Sequence, residues 1–226
     1  MNKLFLVLLF VSSSSLLLSQ NTFNDNGERH GYWIGYHENG TIKYQGQFIN
    51  GKEIGLFNYF DYSGNLVIRL NYIINGEKSQ AELYHSNGNL KAEGEYVNKK
   101  KEGAWIYYND KGQKISIQNY LHDKLHGECI YFYVNGMVAE KYIYFNNSKE
   151  GDAEIYYQSG SLNMTSSYNM NQLNGFASYY YDNSGGLESC GKYTMGFKDS
   201  IWIFYNELGK ELKRINYIES DTLINK

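Results

Sequence analysis

The sequence predicts an all-β protein: an elongated antiparallel meander, or solenoid, of about eight stacked β-hairpin repeats of 24 residues. Two observations predict this fold class. Glycines and aromatic residues recur in phase along the chain, which is typical of a repeat architecture. Between them, apolar and polar side chains alternate over five to seven residues, which is the period of a half-buried strand and not of a helix.

The amino-acid composition excludes several other classes. The 226 residues include no proline, which excludes proline-rich linkers, collagen-like segments and polyproline ligands. They include 24 tyrosines, 11 phenylalanines and 3 tryptophans, so a disordered tail is excluded as well. The formal net charge is −3, and the sequence therefore offers no basic track for a nucleic acid.

The first element is a predicted signal peptide at residues 1–20. Lys3 provides a positive charge and is followed by an apolar stretch of 15 residues, Leu4–Leu18, that includes four serines. This layout is typical of a secretory signal peptide, and it is shorter than the roughly 20 apolar residues that span a bilayer. We therefore expect an exported protein, located in the periplasm, at the cell surface or outside the cell.

The repeat domain is predicted over residues 21–217, followed by a C-terminal tail at 218–226. Each unit is centred on a turn glycine, and the steps between these glycines are 24 residues except for one of 25. The turn glycines of units one to eight are Gly40, Gly64, Gly88, Gly112, Gly136, Gly160, Gly185 and Gly209. The step of 25 residues predicts a bulge or a longer turn in unit seven.

Two aromatic columns accompany the turn glycines. The pre-turn column, four residues before each glycine, comprises Tyr36, Phe60, Tyr84, Tyr108, Phe132, Tyr156, Tyr181 and Tyr205. The closing column, eight residues after each glycine, comprises Phe48, Tyr72, Tyr96, Tyr120, Tyr144, Tyr168, Tyr193 and Tyr217. Because an isolated hairpin is marginally stable in water, we expect rings of adjacent units to pack together and to stabilise the array.

Each unit reads as two strands joined by a tight turn. Dipeptides such as Asn39-Gly40 tolerate the positive φ that hairpin turns require. Sixteen strands at about 4.8 Å each would extend roughly 77 Å. An earlier glycine column is interrupted at Ser79 and Ser200, and we expect looser packing in the first strand of unit three, where Ser79 lies. Ile115, Ile117 and Leu212 fall on the nominally polar side and leave open a local register change.

These motifs resemble MORN repeats, specifically the bacterial variant often described as antitoxin-type repeats. The resemblance implies a sheet of stacked hairpins without catalysis, and it implies roles in protein scaffolding or phospholipid contact. The antitoxin description implies a cytosolic partner, which the predicted signal peptide contradicts. The residues of unit one that carry the resemblance are Asn26, Gly27, His30, Gly31, Trp33, Tyr36, Asn39 and Gly40.

The candidate chemical groups are few. Cys129 and Cys190 lie five strand spacings apart, roughly 24 Å, whereas a disulfide needs Cα atoms within about 7 Å. We place Cys129 in the core. His122, Asp123 and His126 are residue types that can ligate a metal. His126, however, repeats a position of unit one, which indicates a structural role. We therefore predict neither a metal site nor a cofactor.

The leading functional hypothesis is an exported, non-enzymatic repeat scaffold that binds another protein, whose identity the sequence does not reveal. The alternative is a surface module that binds glycan or lipid headgroups through the aromatic rows, so membrane or glycan contact stays open. A third interpretation, an accessory enzyme using His126 and Cys129, lacks an orienting group. The predicted partner-binding face comprises residues that vary between units at one strand position: Arg69, Glu93, Ile117, Lys141 and Arg214.

Overall fold

The computed structural model describes residues 20–74 and 76–218. Apart from Gln20, the predicted signal peptide lies outside the described residues, as does the predicted C-terminal tail apart from Ile218. Within the described ranges, no helix has the length and apolar character needed to cross a membrane.

The described chain forms one antiparallel sheet of 18 strands. Each long strand pairs with the next one along the sequence, which makes the sheet an open meander. The strands are β1 (Thr22–Phe23), β2 (Arg29–Tyr36), β3 (Ile42–Ile49), β4 (Lys52–Phe60), β5 (Leu66–Ile74), β6 (Lys78–Tyr84), β7 (Leu90–Val97), β8 (Lys100–Tyr108), β9 (Lys114–Leu121), β10 (Lys124–Phe132), β11 (Val138–Phe145), β12 (Ser148–Tyr156), β13 (Leu162–Asn169), β14 (Gln172–Leu173), β15 (Gly175–Tyr180), β16 (Leu187–Thr194), β17 (Phe197–Tyr205) and β18 (Glu211–Asn216).

The all-β repeat fold is confirmed. The expected hairpins are present in all eight units, and two short strands account for the difference between 16 and 18. Strand β1 extends the sheet by pairing with β2 at the amino-terminal edge. In unit seven, Asn174 interrupts the first strand, and β13 pairs with both resulting pieces, β14 and β15.

The hairpin turns also connect neighbouring units. Gly40 has φ +85°, and its N–H donates to the carbonyl of His37 at 3.0 Å. The Asn39 side-chain amide donates to the carbonyl of Tyr62 in the next turn at 2.9 Å. Asn87 donates to the carbonyl of Asp110 in the same way at 2.8 Å. These bonds join successive turns along one edge of the sheet.

The extra residue of unit seven lengthens its turn, as expected. Tyr181 N–H donates to the carbonyl of Gly186 at 2.9 Å, one residue farther than in the other turns. One assignment in the pre-turn column is therefore wrong. Tyr180, paired with Leu187, occupies the place that the sequence spacing gave to Tyr181. The hydroxyl of Tyr181 instead donates to the carbonyl of Tyr205 in unit eight at 2.8 Å.

A second glycine position produces a β-bulge at most junctions between units. Gly55 has φ +58°, and the pairing of β3 with β4 shifts beside it. Ser200 adopts the same φ of +58° without being glycine. Ser79 does not adopt it, and β6 pairs directly with β5 through Leu70↔Ala81 and Tyr72↔Ser79. Ser79 and Ala81 are both buried and the strand is regularly paired, so the expectation of loose packing holds only beside Ser79, where a pocket opens.

We expect Ser200→Gly to stabilise the protein by about 0.5–1 kcal/mol, because a left-handed conformation is strained for a residue with a Cβ. The matched control is Ser79→Gly at the equivalent position of unit three, where φ is not positive. That change is expected to destabilise by about 0.5–1 kcal/mol, because glycine in a regular strand loses more entropy on folding. Thermal melts of both variants check that the melting temperature rises for Ser200→Gly and falls for Ser79→Gly.

One column of the core lies in the first strand of each unit, seven residues before the turn glycine in every unit but the seventh, and buried residues of second strands such as Phe48, Ala92 and Tyr193 pack against it. We call it the core column, and all its members are buried. They are Trp33, Phe57, Ala81, Trp105, Cys129, Ala153, Ala177 and Trp202. The predicted burial of Cys129 is confirmed, and Cys129 and Cys190 are both free thiols.

At the junction between two units, the core residue of one unit and the facing residue of the preceding unit are complementary in size. A Cβ on Gly94 would lie 2.4 Å from the ring of Trp105, so only glycine leaves room for this indole. Where the core residue is small, the residue at the position of Gly94 in the preceding unit is larger, as with Leu70 opposite Ala81. At the position of Gly94, two other units also place a glycine against a ring: Gly46 with Phe57 and Gly191 with Trp202.

Candidate functional site

The face of the sheet opposite the core column carries one continuous row of paired residues. Every member is a direct cross-strand partner of the next, across 16 strands. We call it the outer row. It comprises Ile34, Gln45, Asn58, Arg69, Glu82, Glu93, Ile106, Ile117, Ile130, Lys141, Glu154, Thr165, Ser178, Cys190, Ile203 and Arg214. The row therefore contains all five residues of the predicted partner-binding face.

The first charged cluster of the outer row lies between units two and four. Arg69 forms an ion pair with Glu82 at 3.1 Å, and its guanidinium lies 5.6 Å from the ring centre of Tyr84. The hydroxyl of Tyr84 donates to the same Glu82 carboxylate. In the next hairpin, the hydroxyl of Tyr108 donates to Glu93 at 2.7 Å. The pre-turn tyrosines thus hold the carboxylates of the row in place.

A second cluster repeats this arrangement between units five and six. Lys141 forms an ion pair with Glu154 at 2.9 Å, and its ammonium lies 5.4 Å from the ring centre of Tyr156. The hydroxyl of Tyr156 donates to Glu154. Arg214, at the end of the row, is exposed and pairs with Glu211 on its own strand at 2.8 Å.

An apolar patch separates the two clusters. Ile117 pairs directly with Ile106 on β8 and with Ile130 on β10, and all three side chains are half-buried. The register change that the sequence left open is not found at Ile117. Ile117 points outward because it occupies the strand position that Arg69 and Lys141 hold in other units. We name Ile106, Ile117 and Ile130 the isoleucine patch.

The tyrosines beside the outer row are expected to ionise only at high pH. Burial, followed by the hydrogen bond to a nearby carboxylate, raises the pKa of Tyr84 and of Tyr108 to about 12. The folded-state pKa of each tyrosine lies above the unfolded value of about 10. The protonated tyrosines therefore contribute fully to the free energy of unfolding below pH 10, and this contribution is lost as pH rises toward 12. Absorbance titration at 295 nm checks this, and Glu93→Gln is expected to lower the pKa of Tyr108 alone.

The opposite face, which we call the inner face, is lined by aromatic rings that pack edge-on. Tyr96 in unit three lies 4.9 Å from Trp105 in unit four, with an angle of 66° between the rings. Tyr193 and Trp202 repeat the contact at 5.1 Å and 78°. Stacking of a ligand needs exposed, coplanar rings, so this geometry favours packing between units as the role of the closing column.

The remaining candidate groups lie apart from one another. His122 forms a pair with Glu102 at 3.2 Å, and Asp123 accepts the backbone N–H of Lys101 at 2.7 Å. His126 packs against the ring of Phe145, with 5.0 Å between centres. Among the residues that the structure describes, no three histidine, cysteine or acidic side chains converge on a metal site.

The thiol of Cys129 is unsuited to a role as a nucleophile. It is fully buried in the core column, and burial raises the pKa of this thiol. Nucleophilic cysteines have the opposite property, a lowered pKa in an exposed and electropositive setting.

Three segments match the family model described as the MORN repeat variant: residues 29–50, 80–98 and 149–170. They fall on the hairpins of units one, three and six, and they support a MORN-repeat protein. No curated protein matches the chain.

Two solved structures are similar to part of the chain. The crystal structure of TarM is 14% identical with a TM-score of 0.32, and a variant of S. aureus TarM in complex with fondaparinux, alpha-GlcNAc-glycerol and UDP is 13% identical with a TM-score of 0.33. Each match covers 42% of this chain and 19% of the TarM chain. The present chain thus spans about a fifth of the length of these proteins.

Proposed function

We propose that the protein is an exported, non-enzymatic repeat scaffold that binds another protein through the outer row. The observation that carries this proposal is the uninterrupted row itself, in which the isoleucine patch lies between two charged clusters. MORN repeats are generally interaction modules for proteins or membranes, which agrees with such a role.

The chemistry of the outer row suits a protein partner. The centre of a protein interface is depleted in charge, while its rim is polar and hydrated. The isoleucine patch provides such a centre. Arg69 with Glu82 on one side and Lys141 with Glu154 on the other provide a charged rim, and both pairs are partly exposed. Charges of the rim guide the partner into register and raise the rate of association.

Export is supported by the sequence of residues 1–20, with Lys3 preceding a short apolar stretch. The proposal therefore expects the mature chain, cut near Ser19 or Gln20, in the extracytoplasmic fraction. Mass spectrometry of that fraction identifies its first residue. An uncut chain in the cytosol would contradict the export part of the proposal.

The binding part is tested by using the mature chain to capture proteins from the extracytoplasmic fraction. Ile117→Lys is expected to weaken the captured complex at least tenfold, because it buries an unpaired ammonium at the centre of the interface. The matched control is Leu208→Lys, which adds the same charge at a turn residue that is 93% exposed. Coincident thermal melts show that both variants are folded. Recovery of no saturable partner, or equal binding by both variants, would refute the proposal.

A further inference from the structure

Lysine and arginine side chains of the protein lie over the aromatic rings of the inner face. The ammonium of Lys101 lies 4.6 Å from the ring centre of Trp105 and 4.9 Å from that of Tyr120. The ammonium of Lys198 lies 4.1 Å from the ring centre of Trp202. Both lysines stand 11 residues before the turn glycine of their unit. Two further cations at the same position also lie over inner rings: Arg29 and Lys149.

Units five and seven carry leucine at the equivalent position, Leu125 and Leu173, whereas units two and three carry an acidic residue. Their residues at the same position are Glu53 and Glu77. Over the part of the chain that the structure describes, neither lysine nor arginine lies over the rings of Tyr59, Tyr72 or Tyr96. A pocket of about 290 Å³ opens among the two glutamates and these three tyrosines.

The pocket lies at the junction between units two and three, where the core residue of unit three is small. Ala81 occupies the position at which unit four has Trp105. In addition, β6 has no bulge at Ser79, so Ala81 pairs directly with Leu70. Leu70 packs against Ala81, and the pocket opens beside Leu70 and Ser79, next to the two glutamates.

The walls of the pocket are suited to an alkylammonium group. The rings of Tyr59 and Tyr72 line the pocket and attract a cation placed over them, and Ile68 and Leu70 offer an apolar wall for a methylene chain. Glu53 is only 20% exposed. Burial raises the pKa of Tyr59 and of Tyr72, and the charge of the Glu53 carboxylate raises it further. A negative charge thus lies against the rings.

Two lysines pair with these glutamates through exposed side chains, and one of them, Lys99, also lines the pocket. Lys99 lies 4.0 Å from Glu53, and its side chain is 76% exposed. Lys52 lies 3.4 Å from Glu77, and both side chains are more than half exposed. Exposed ion pairs of this kind contribute little free energy, so they leave the glutamates available to another cation.

We propose that this pocket, which we call the acidic pocket, binds a lysine side chain of a partner protein. The ammonium lies over Tyr72 and faces the carboxylates of Glu53 and Glu77. Its methylenes pack on Leu70. The bound lysine thereby takes the place that Lys101 takes over the rings of unit four. This inference goes beyond the proposed function, because the acidic pocket lies on the inner face, opposite the outer row, and it names a chemical feature of the partner.

The probe is Nα-acetyl-lysine methylamide, titrated into the ¹⁵N-labelled mature protein. We expect saturable shifts confined to residues around Tyr72 and Ser79, with a dissociation constant in the millimolar range. Nα-acetyl-norleucine methylamide, which keeps the aliphatic side chain but lacks the ammonium group, is expected to give none. The double variant Glu53→Gln, Glu77→Gln is expected to bind the lysine probe at least tenfold more weakly. The control Glu38→Gln, at an exposed turn of unit one, is expected to leave the affinity unchanged.

A second variant tests the position of the bound ammonium group directly. Glu53→Lys restores the pattern of units four, six and eight, and it is expected to block the probe while raising the melting temperature by about 2–4 °C. Unchanged probe binding in Glu53→Lys would overturn the inference, as would equal binding of the norleucine probe. Tighter binding to phosphatidylcholine vesicles than to the lysine probe would also overturn it, since the ligand would then be a lipid headgroup.

The failure of this inference differs from the failure of the proposed function. Loss of partner capture in Ile117→Lys, without any binding of the lysine probe, would refute the acidic pocket alone. Binding of the probe in the acidic pocket, without recovery of a saturable partner, would refute the protein-binding function alone.

Discussion

Replacing Trp105 by alanine is expected to lower the free energy of unfolding by about 3–5 kcal/mol, the usual loss for a buried aromatic residue. Trp105 has no exposed surface. Its indole contacts Tyr96 of the preceding unit and donates from Nε1 to the carbonyl of Glu95 at 3.1 Å. The loss therefore removes packing at the junction between units three and four. Urea denaturation followed by tryptophan fluorescence and circular dichroism measures it.

The matched control for Trp105→Ala is the adjacent change Ile106→Ala on the outer row. Ile106 is half-buried, so we expect a loss of only about 1 kcal/mol. In a repeat array each unit contacts mainly its neighbours, and the Trp105 variant is expected to unfold around units three and four first. Equal losses for the two variants would contradict the assignment of the core to the inner face.

The second large effect is expected from Gly94→Ala, which should destabilise by about 2–3 kcal/mol through overpacking. The added methyl would lie 2.4 Å from the ring of Trp105, and the backbone of Gly94 does not have a positive φ. Steric contact with the indole is thus the whole cause. In the background of Trp105→Ala the same change is expected to cost less than about 0.5 kcal/mol.

The four chains of this double-mutant cycle yield a coupling energy of about 2 kcal/mol when the ring and the glycine are in contact. Additive losses would contradict the size match between adjacent units. The corresponding pair Gly191 and Trp202 has the same 2.4 Å approach, and the cycle is expected to give a similar value there.

Much of the fold follows from local features of the sequence. The turn glycines and the alternating strands predict the hairpins, because each hairpin is specified within about 20 residues. Cys129 was placed in the core by its position in a column that elsewhere holds Trp33 and Trp105. The spacing assigns Tyr181 to the pre-turn column, whereas Tyr180 occupies it. The longer turn of unit seven changes which residue ends the strand.

The parts that sequence reasoning missed depend on contacts between units. All five residues of the predicted partner-binding face lie in the second strands of their units. The first-strand members of the outer row, such as Glu82 and Glu154, require the cross-strand register. A direct comparison of residues 11 positions before each turn glycine would have revealed the exchange of Lys101 for Glu53 and Glu77. The pocket beside them could not be predicted, because it depends on the missing bulge at Ser79.

The size match between neighbouring units also limits how such an array can be shortened or recombined. Gly46 accommodates Phe57, and Gly94 accommodates Trp105, in nearly the same geometry. A chain that lost residues 57–104 would bring Gly46 against Trp105, and the junction would keep its complementary shape. A deletion that set Leu70 against Trp105 would force two bulky side chains into one space. Gain and loss of units during evolution is therefore restricted to boundaries of like shape, and the units are not freely interchangeable modules.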